Sequence, residues 1–174
     1  MRHRSSITFL VIATIERTSE VKSRLVVTSL ATAVLCTIWM LLGPAVGLIG
    51  WAGFAGCTSY FAYPKSGPKA LPLILCCVLC GSAFAFISLF VGGLFLDPRV
   101  SQAVSLVMTC VTTYFMCADA HFKYLSYVPG TFFGSFSTFA AGGNPMIIPS
   151  LVIGVLLGLA CDMCGQKLAN SICK

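Results

Sequence analysis

At 174 residues the chain is 57% hydrophobic and only 9% charged, with a mean hydropathy of +0.94. Soluble domains carry about a quarter charged residues, so these charges are too few to solvate a globular surface, and the chain reads as one integral membrane domain. The net charge of +6 sits at the N-terminus and in short loops, where it sets topology rather than recruiting nucleic acid.

Residues 1–24 precede the first span. They include "ITFLVIATI" (7–15), which follows Arg2 and Arg4 like the apolar core of a signal peptide. No small-residue cleavage site follows; Glu16, Arg17 and Glu20 do. The stretch is also too short to span, since a membrane helix needs roughly 20 apolar residues. A surface-lying cytoplasmic segment, or a start codon chosen too far upstream, is the expected explanation.

Charge, proline and glycine divide the remainder into six spans, at about 25–42, 47–63, 70–95, 100–118, 124–141 and 146–164. The second and fifth are the shortest. The second belongs to "GLIGWAGFAGCTSYFAYPKSGP" (47–68), which carries Gly47, Gly50, Gly53 and Gly56, then Cys57, Thr58 and Ser59, and stops at Pro64. With the N-terminus inside, the cytoplasmic side receives Arg2, Arg4, Arg17, Lys22, Arg24, Lys65, Lys69, Lys123, Lys167 and Lys174. The opposite side receives Arg99 alone, a strong positive-inside bias. Both termini are therefore expected in the cytoplasm.

The second span has an echo at 128–145, "VPGTFFGSFSTFAAGGNP". At an offset of 78, Phe54, Gly56, Ser59, Phe61 and Ala62 fall on Phe132, Gly134, Ser137, Phe139 and Ala140. At 77, Pro72, Val78, Leu79, Gly81 and Ala83 fall on Pro149, Val155, Leu156, Gly158 and Ala160. Upstream, Ser29, Leu30, Thr37 and Met40 fall on Ser105, Leu106, Thr113 and Met116 at 76. Three spans per copy is odd, so the second copy must be upside down. Lys65 and Lys69 lie inside while the matching uncharged turn at 141–145 lies outside, which agrees. The expected fold is all-α, with six transmembrane helices as two inverted-topology three-helix repeats, 25–95 and 96–174.

In such folds, short glycine- or proline-broken segments at matching places point to a substrate path. A path between spans two and five would bring together Thr58, Ser59, Ser135, Ser137 and Thr138. Phe54, Tyr60, Phe61, Phe132, Phe133 and Phe139 would form an aromatic constriction around them. The competing reading is that glycine and serine simply let helices pack closely. Gly53, Gly56, Gly130, Gly134, Gly154 and Gly158 are the packing candidates, and the last four form two GxxxG pairs that serve packing first and an oligomer interface second.

Three segments carry a family resemblance: "LIGWAGFAGCTSYFA", "YLSYVPGTFFGSFSTFA" and "PSLVIGVLLGLA". They resemble those of YcdZ-like bacterial inner-membrane proteins, over about residues 25–165, a family catalogued as a domain of unknown function. The resemblance implies a small multi-pass protein of the bacterial inner membrane and brings no assigned site residues. Members of this type begin near the first span, so residues 1–24 depart from the pattern. "GPAVGLIG" (43–50) is also similar in style to the "NPAPLGL" segment of acetate/succinate channels, although the Asn is absent here.

No Asp, Glu, Lys or Arg falls in the middle of an expected span; Asp97, Asp119 and Asp162 fall near ends. Ion-coupled pumps generally need intramembrane ionisable groups, so passive conduction is the better expectation. Eight of the ten cysteines lie in apolar runs as small hydrophobes. Cys161 and Cys164 make one CxxC, short of the four ligands of a structural zinc site. Asp119, His121 and Lys123 read as a solvated turn or, less simply, a pH gate. Neither a metal nor a cofactor is expected, and no enzyme motif is present. The functional expectation is a homo-oligomeric channel or passive facilitator for a small neutral or weak-acid solute in the plasma (inner) membrane. The alternative is a non-transporting accessory protein that assembles with another complex.

Overall fold

The computed structural model describes residues 2–65 and 67–172, with side chains described from residue 23 onward. The side chains of the 7–15 stretch, and residues Cys173 and Lys174, therefore lie outside the described residues. All regular structure among the described residues is helical: α1 (Arg2–Ala45), α2 (Gly50–Phe61), α3 (Leu71–Gly93), α4 (Pro98–Ala118), α5 (Val128–Ala140) and α6 (Ile147–Ile172). Short 3₁₀ turns at Pro68–Ala70 and Asp119–His121 precede α3 and follow α4.

Four of these stretches are long and apolar enough to cross a bilayer: Ser23–Ala45, Pro68–Gly93, Pro98–His121 and Ile147–Ile172. The helices α2 and α5 have 12 and 13 residues, shorter than the expected second and fifth spans. At 1.5 Å per residue each rises about 18–20 Å, well short of a hydrocarbon core of about 30 Å. Local chemistry sets their ends. Gly47 takes a left-handed turn (φ 78°) before α2, and Pro129 occupies the first turn of α5. By contrast α6 continues eight residues past its expected end at 164 and carries Asp162 inside the helix.

The chain packs as two compact units, one formed by residues 36–160 and the other by α1 up to Leu35 with the segment from Cys161 onward. Within the first unit, each short helix lies against a long one and runs the same way. A Cβ at Gly56 would meet Val155 N at 2.8 Å, and one at Gly158 would meet Tyr60 Cβ at 2.6 Å, so α2 runs alongside the start of α6. Gly81 abuts the carbonyl of Thr131 and Gly134 that of Val78, so α5 runs alongside α3. Backbone meets backbone in both pairs, which only glycine permits. Both GxxxG pairs are thus occupied inside the protein: Gly130 faces Tyr127 and Cys77, and Gly154 faces Gly53. Trp39 fills the notch of Gly53 and donates its Nε1–H to the Gly50 carbonyl at 2.8 Å.

Burial repeats with a fixed register. The buried positions of α2 are Ala52, Gly53, Gly56, Cys57, Ser59 and Tyr60; those of α5, each 78 residues on, are Gly130, Thr131, Gly134, Ser135, Ser137 and Thr138. The buried positions of α3 are Ile74, Cys77, Val78, Gly81, Ser82, Ala85, Ser88 and Gly92. Shifted by 73 residues these become Ile147, Ser150, Leu151, Gly154, Val155, Gly158, Cys161 and Gly165, and all eight are buried in α6. The shift seen in burial is 73, one helical turn short of the 77 expected from residue identities. The glycine contacts keep the same spacing. Gly134 meets Val78 and Ser82 as Gly56 meets Leu151 and Val155, and Gly81 meets Thr131 as Gly154 meets Gly53.

In the second unit α1 and α6 meet at Gly165, where an added Cβ would overlap the Thr28 side chain.

Candidate functional site

Ser59 on α2 and Ser137 on α5 are both at 0% relative exposure, on faces turned into the protein. Among the described residues neither hydroxyl, nor Thr131 Oγ1, meets a partner in good hydrogen-bond geometry, although the Tyr127 hydroxyl lies beside Ser59 and the Cys77 thiol beside Thr131. Several other helical hydroxyls fold back onto the carbonyl four residues earlier. Ser82 does so on Val78 (3.0 Å), Ser88 on Phe84 (3.0 Å), Thr138 on Gly134 (2.9 Å) and Ser150 on Met146 (2.6 Å). A buried polar group left unpaired costs about 1–3 kcal/mol. That the same cost recurs at matched places on α2 and α5 singles these two serines out.

Around Ser59 the chain supplies neutral hydrogen-bonding groups. Tyr127 Oη donates to the Ser59 carbonyl at 2.9 Å, and its ring sits edge-on to Tyr63 with centroids 5.1 Å apart. The Gly67 N–H donates to Tyr60 Oη at 2.7 Å. On the α5 side Ser82 Oγ reaches the Gly134 carbonyl at 3.2 Å. The segments leading into the short helices are held by residues 73 positions apart. Ser150 Oγ accepts from the Ile49 N–H at 2.9 Å, and Cys77 Sγ donates to the Tyr124 carbonyl at 3.7 Å.

The expected path residues divide into two faces. Ser59, Ser135, Ser137 and Thr138 are buried. Phe54, Phe61, Phe132 and Phe139 are exposed on the opposite faces, as is Thr58, whose hydroxyl donates to the Phe54 carbonyl at 2.8 Å. The phenylalanines therefore do not form a constriction around the serines. On α5 Phe132, Phe133 and Phe136 instead line an outward recess of about 310 Å³ with Val128 and Pro129. The aromatic groups beside the site are Tyr60 and Tyr127. The sequence alone does not single out Tyr127, Thr131 or Ser150. The signal for Thr131 was its place 78 residues after Gly53.

The other motifs resolve simply. Asp119 is buried at 8% exposure and accepts a hydrogen bond from Cys80 Sγ at 3.4 Å, while His121 is exposed, its Nδ1 3.0 Å from the Ala118 carbonyl. Asp162 is buried at 9% and accepts from Gln166 Nε2 at 2.7 Å. It is an acidic group within a candidate span, contrary to its expected place near an end. Of the CxxC pair, Cys161 is buried and Cys164 exposed, and neither is in a disulfide.

Residues 29–166 match the family described as "Protein of unknown function (DUF1097)". The chain is 38% identical over 143 residues to inner membrane protein YcdZ of Salmonella typhimurium (strain LT2), covering 82% of this chain and 88% of that one. It is 37% identical over 142 residues to inner membrane protein YcdZ of Escherichia coli (strain K12), covering 81% and 85%. No solved structure matches the chain. With four helices long enough to cross a bilayer and relatives named for the inner membrane, the chain belongs to this family of multi-pass inner-membrane proteins.

Proposed function

We propose that the protein is a channel or passive facilitator for a small neutral or weak-acid solute, with the path at the inner faces of α2 and α5. The observation that supports the reading is the pair of fully buried hydroxyls of Ser59 and Ser137, neither held by a hydrogen bond of good geometry among the described residues. A hydroxyl is both donor and acceptor, so each can replace part of a passing solute's hydration and is itself paired when the solute is there. On this reading α2 and α5 are broken crossings completed by non-helical chain, which is tolerated at membrane depth only where protein or a wet cavity satisfies the backbone. The 78- and 73-residue registers of burial support two three-helix repeats of inverted topology. The protein acts as a homo-oligomer and carries out no covalent chemistry.

A flux screen in proteoliposomes over small acids, amides and polyols tests the function, with at least one class expected to pass faster than through protein-free vesicles. No acceleration of any class would refute it. The topology has its own test. Cysteine labelling or reporter fusions at Lys69, Arg99 and Asn144 are expected to report inside, outside and outside. A periplasmic signal at Lys69 would end the inverted-repeat reading.

A second reading is favoured by the completeness of the burial: both serines are at 0% exposure. An accessory protein that assembles with another complex would bury such groups in helix contacts and conduct nothing.

A further inference from the structure

Ser59 and Ser137 are fully buried, so a path along their faces is shut in this structure, and one end must open to admit a solute. The two ends are unlike. Where α2 finishes and α5 begins, Tyr60, Tyr63 and Tyr127 gather. In a continued α-helix the Tyr63 N–H would bond the Ser59 carbonyl. It donates instead to the Tyr60 carbonyl at 3.2 Å, and the Ser59 carbonyl accepts from the Tyr127 hydroxyl at 2.9 Å. Tyr60 Oη accepts from the Gly67 N–H at 2.7 Å, which ties down the connection to α3. The rings of Tyr63 and Tyr127 meet edge-on at 5.1 Å. At the other end the 78-residue register puts Thr138, Ala141 and Ile49 in the places of Tyr60, Tyr63 and Tyr127. None of these carries a ring, and the Thr138 hydroxyl stays on its own helix, bonded to the Gly134 carbonyl. The repeat thus supplies the buried serines twice and the tyrosine closure once.

The closure is also the weaker kind of contact. At Gly81 and Gly134 α3 and α5 meet backbone against backbone, which no side-chain motion can part. The bond from Tyr127 to Ser59 instead crosses from the start of α5 to α2 through one side chain. A net hydrogen bond between neutral groups is weak enough to break and re-form, and a tyrosine ring swings as a unit about two torsions. In the closed position that ring fills the notch of Gly130, beside the Cβ of Cys77, which is at 0% exposure. Moving the ring out would uncover Cys77 and release the end of α2 at Ser59. Building on the conducting reading above, we infer that Tyr127 is the latch of a gate at this end of the path, with Tyr60 and Tyr63 completing the closure. The connections at this end carry the exposed lysines Lys65, Lys69 and Lys123, so the gate is on the side proposed to face the cytoplasm.

The full chain is reconstituted in proteoliposomes as the parent, as Tyr127→Phe and as Tyr114→Phe, the last altering an exposed ring on α4. Two quantities are read. One is influx of glycerol, acetamide and acetate. The other is alkylation of Cys77 by N-ethylmaleimide, located by tandem mass spectrometry and normalised to the exposed Cys164. Tyr127→Phe keeps the ring and loses the hydrogen bond. It is expected to raise both Cys77 alkylation and the flux of at least one solute by about two- to tenfold, the equivalent of one net hydrogen bond. Cys161, buried elsewhere, should stay protected, which separates a local opening from a lost fold. Tyr114→Phe is expected to match the parent within about twofold, as surface substitutions do. If Tyr127 only packs, Tyr127→Phe lowers the melting temperature and leaves flux at or below the parent's, and that result would overturn the latch. Unchanged alkylation of Cys77 would overturn it too. Raised alkylation with no flux through any of the three proteins would overturn the conducting reading and the gate with it, while upholding the movement of the tyrosine.

Discussion

Gly81→Ala and Gly134→Ala are each expected to destabilise the protein by about 1–3 kcal/mol or more, the range for forcing extra bulk into a packed interior. A Cβ at Gly81 would run into the Thr131 carbonyl oxygen, and one at Gly134 into that of Val78. Those obstacles are backbone atoms, so no rotamer change relieves them and α3 and α5 must separate. Leucine at either position is expected to abolish a folded particle altogether. Gly93→Ala provides the control. It lies in the last turn of α3 with nothing within 4 Å of a new Cβ, so it should be neutral or stabilising by up to about 1 kcal/mol through helix propensity. Thermal melting in detergent with a size-exclusion profile reads all of these. If Gly81→Ala melts like Gly93→Ala, the close crossing of α3 and α5 is wrong.

The double variant Ser59→Ala/Ser137→Ala is expected to be more stable than the parent and slower at its task. Each substitution removes a buried hydroxyl that has no well-formed hydrogen bond among the described residues, and relieving such a group is worth about 1–3 kcal/mol. The same hydroxyls are the groups offered to a solute, and their net hydrogen bonds, at about 0.5–1.5 kcal/mol each, correspond to a several-fold loss of flux. Stability and conduction should thus move in opposite directions. Leucine at either position is expected to stop flux, although at 0% exposure it also strains the packing, which makes alanine the cleaner test. A double alanine variant that gains stability with unchanged flux would mark both serines as packing residues. It would also favour the accessory reading.

The long helices were legible in the sequence because apolar length is a direct requirement of the bilayer. The lengths of α2 and α5 were less so. Their ends depend on a left-handed turn at Gly47 and on where the loops find partners, such as the Ile49 N–H on Ser150. Which face each short helix buries was present in the spacing. Phe54, Thr58 and Phe61 form an i, i+4, i+7 stripe, and Ala52, Gly56 and Ser59 form another on the buried side. Grouping serines with phenylalanines by chemistry rather than by helical phase passes over the different faces they take on each helix. The register between α3 and α6 went astray for a related reason. Matching Pro72 to Pro149 is as good a residue match as Pro72 to Pro145. Only the second also aligns Ile74 with Ile147, Gly81 with Gly154 and Gly92 with Gly165, all buried. That the Ser59 and Ser137 hydroxyls hold no well-formed hydrogen bond among the described residues could not be read from the sequence, since a helical serine ordinarily bonds the carbonyl four residues back.

The crossed pairing of α2 with α6 has a consequence for how the chain is made. The glycine face of α2 emerges from the ribosome about 95 residues before Leu151 and Val155, the residues that Gly56 rests on. At a synthesis rate of about 5–20 residues per second, α2 waits on the order of 5–20 s for its mate. The opposite pair has no such delay to its disadvantage, because α3 is already complete when α5 arrives. Through that interval the notch at Gly53 and Gly56 can be sheltered only by Trp39, by lipid or by the insertion machinery. Nascent chains halted before residue 150 are therefore the species in which α2 should be most open to proteolysis, and completing α6 should close it.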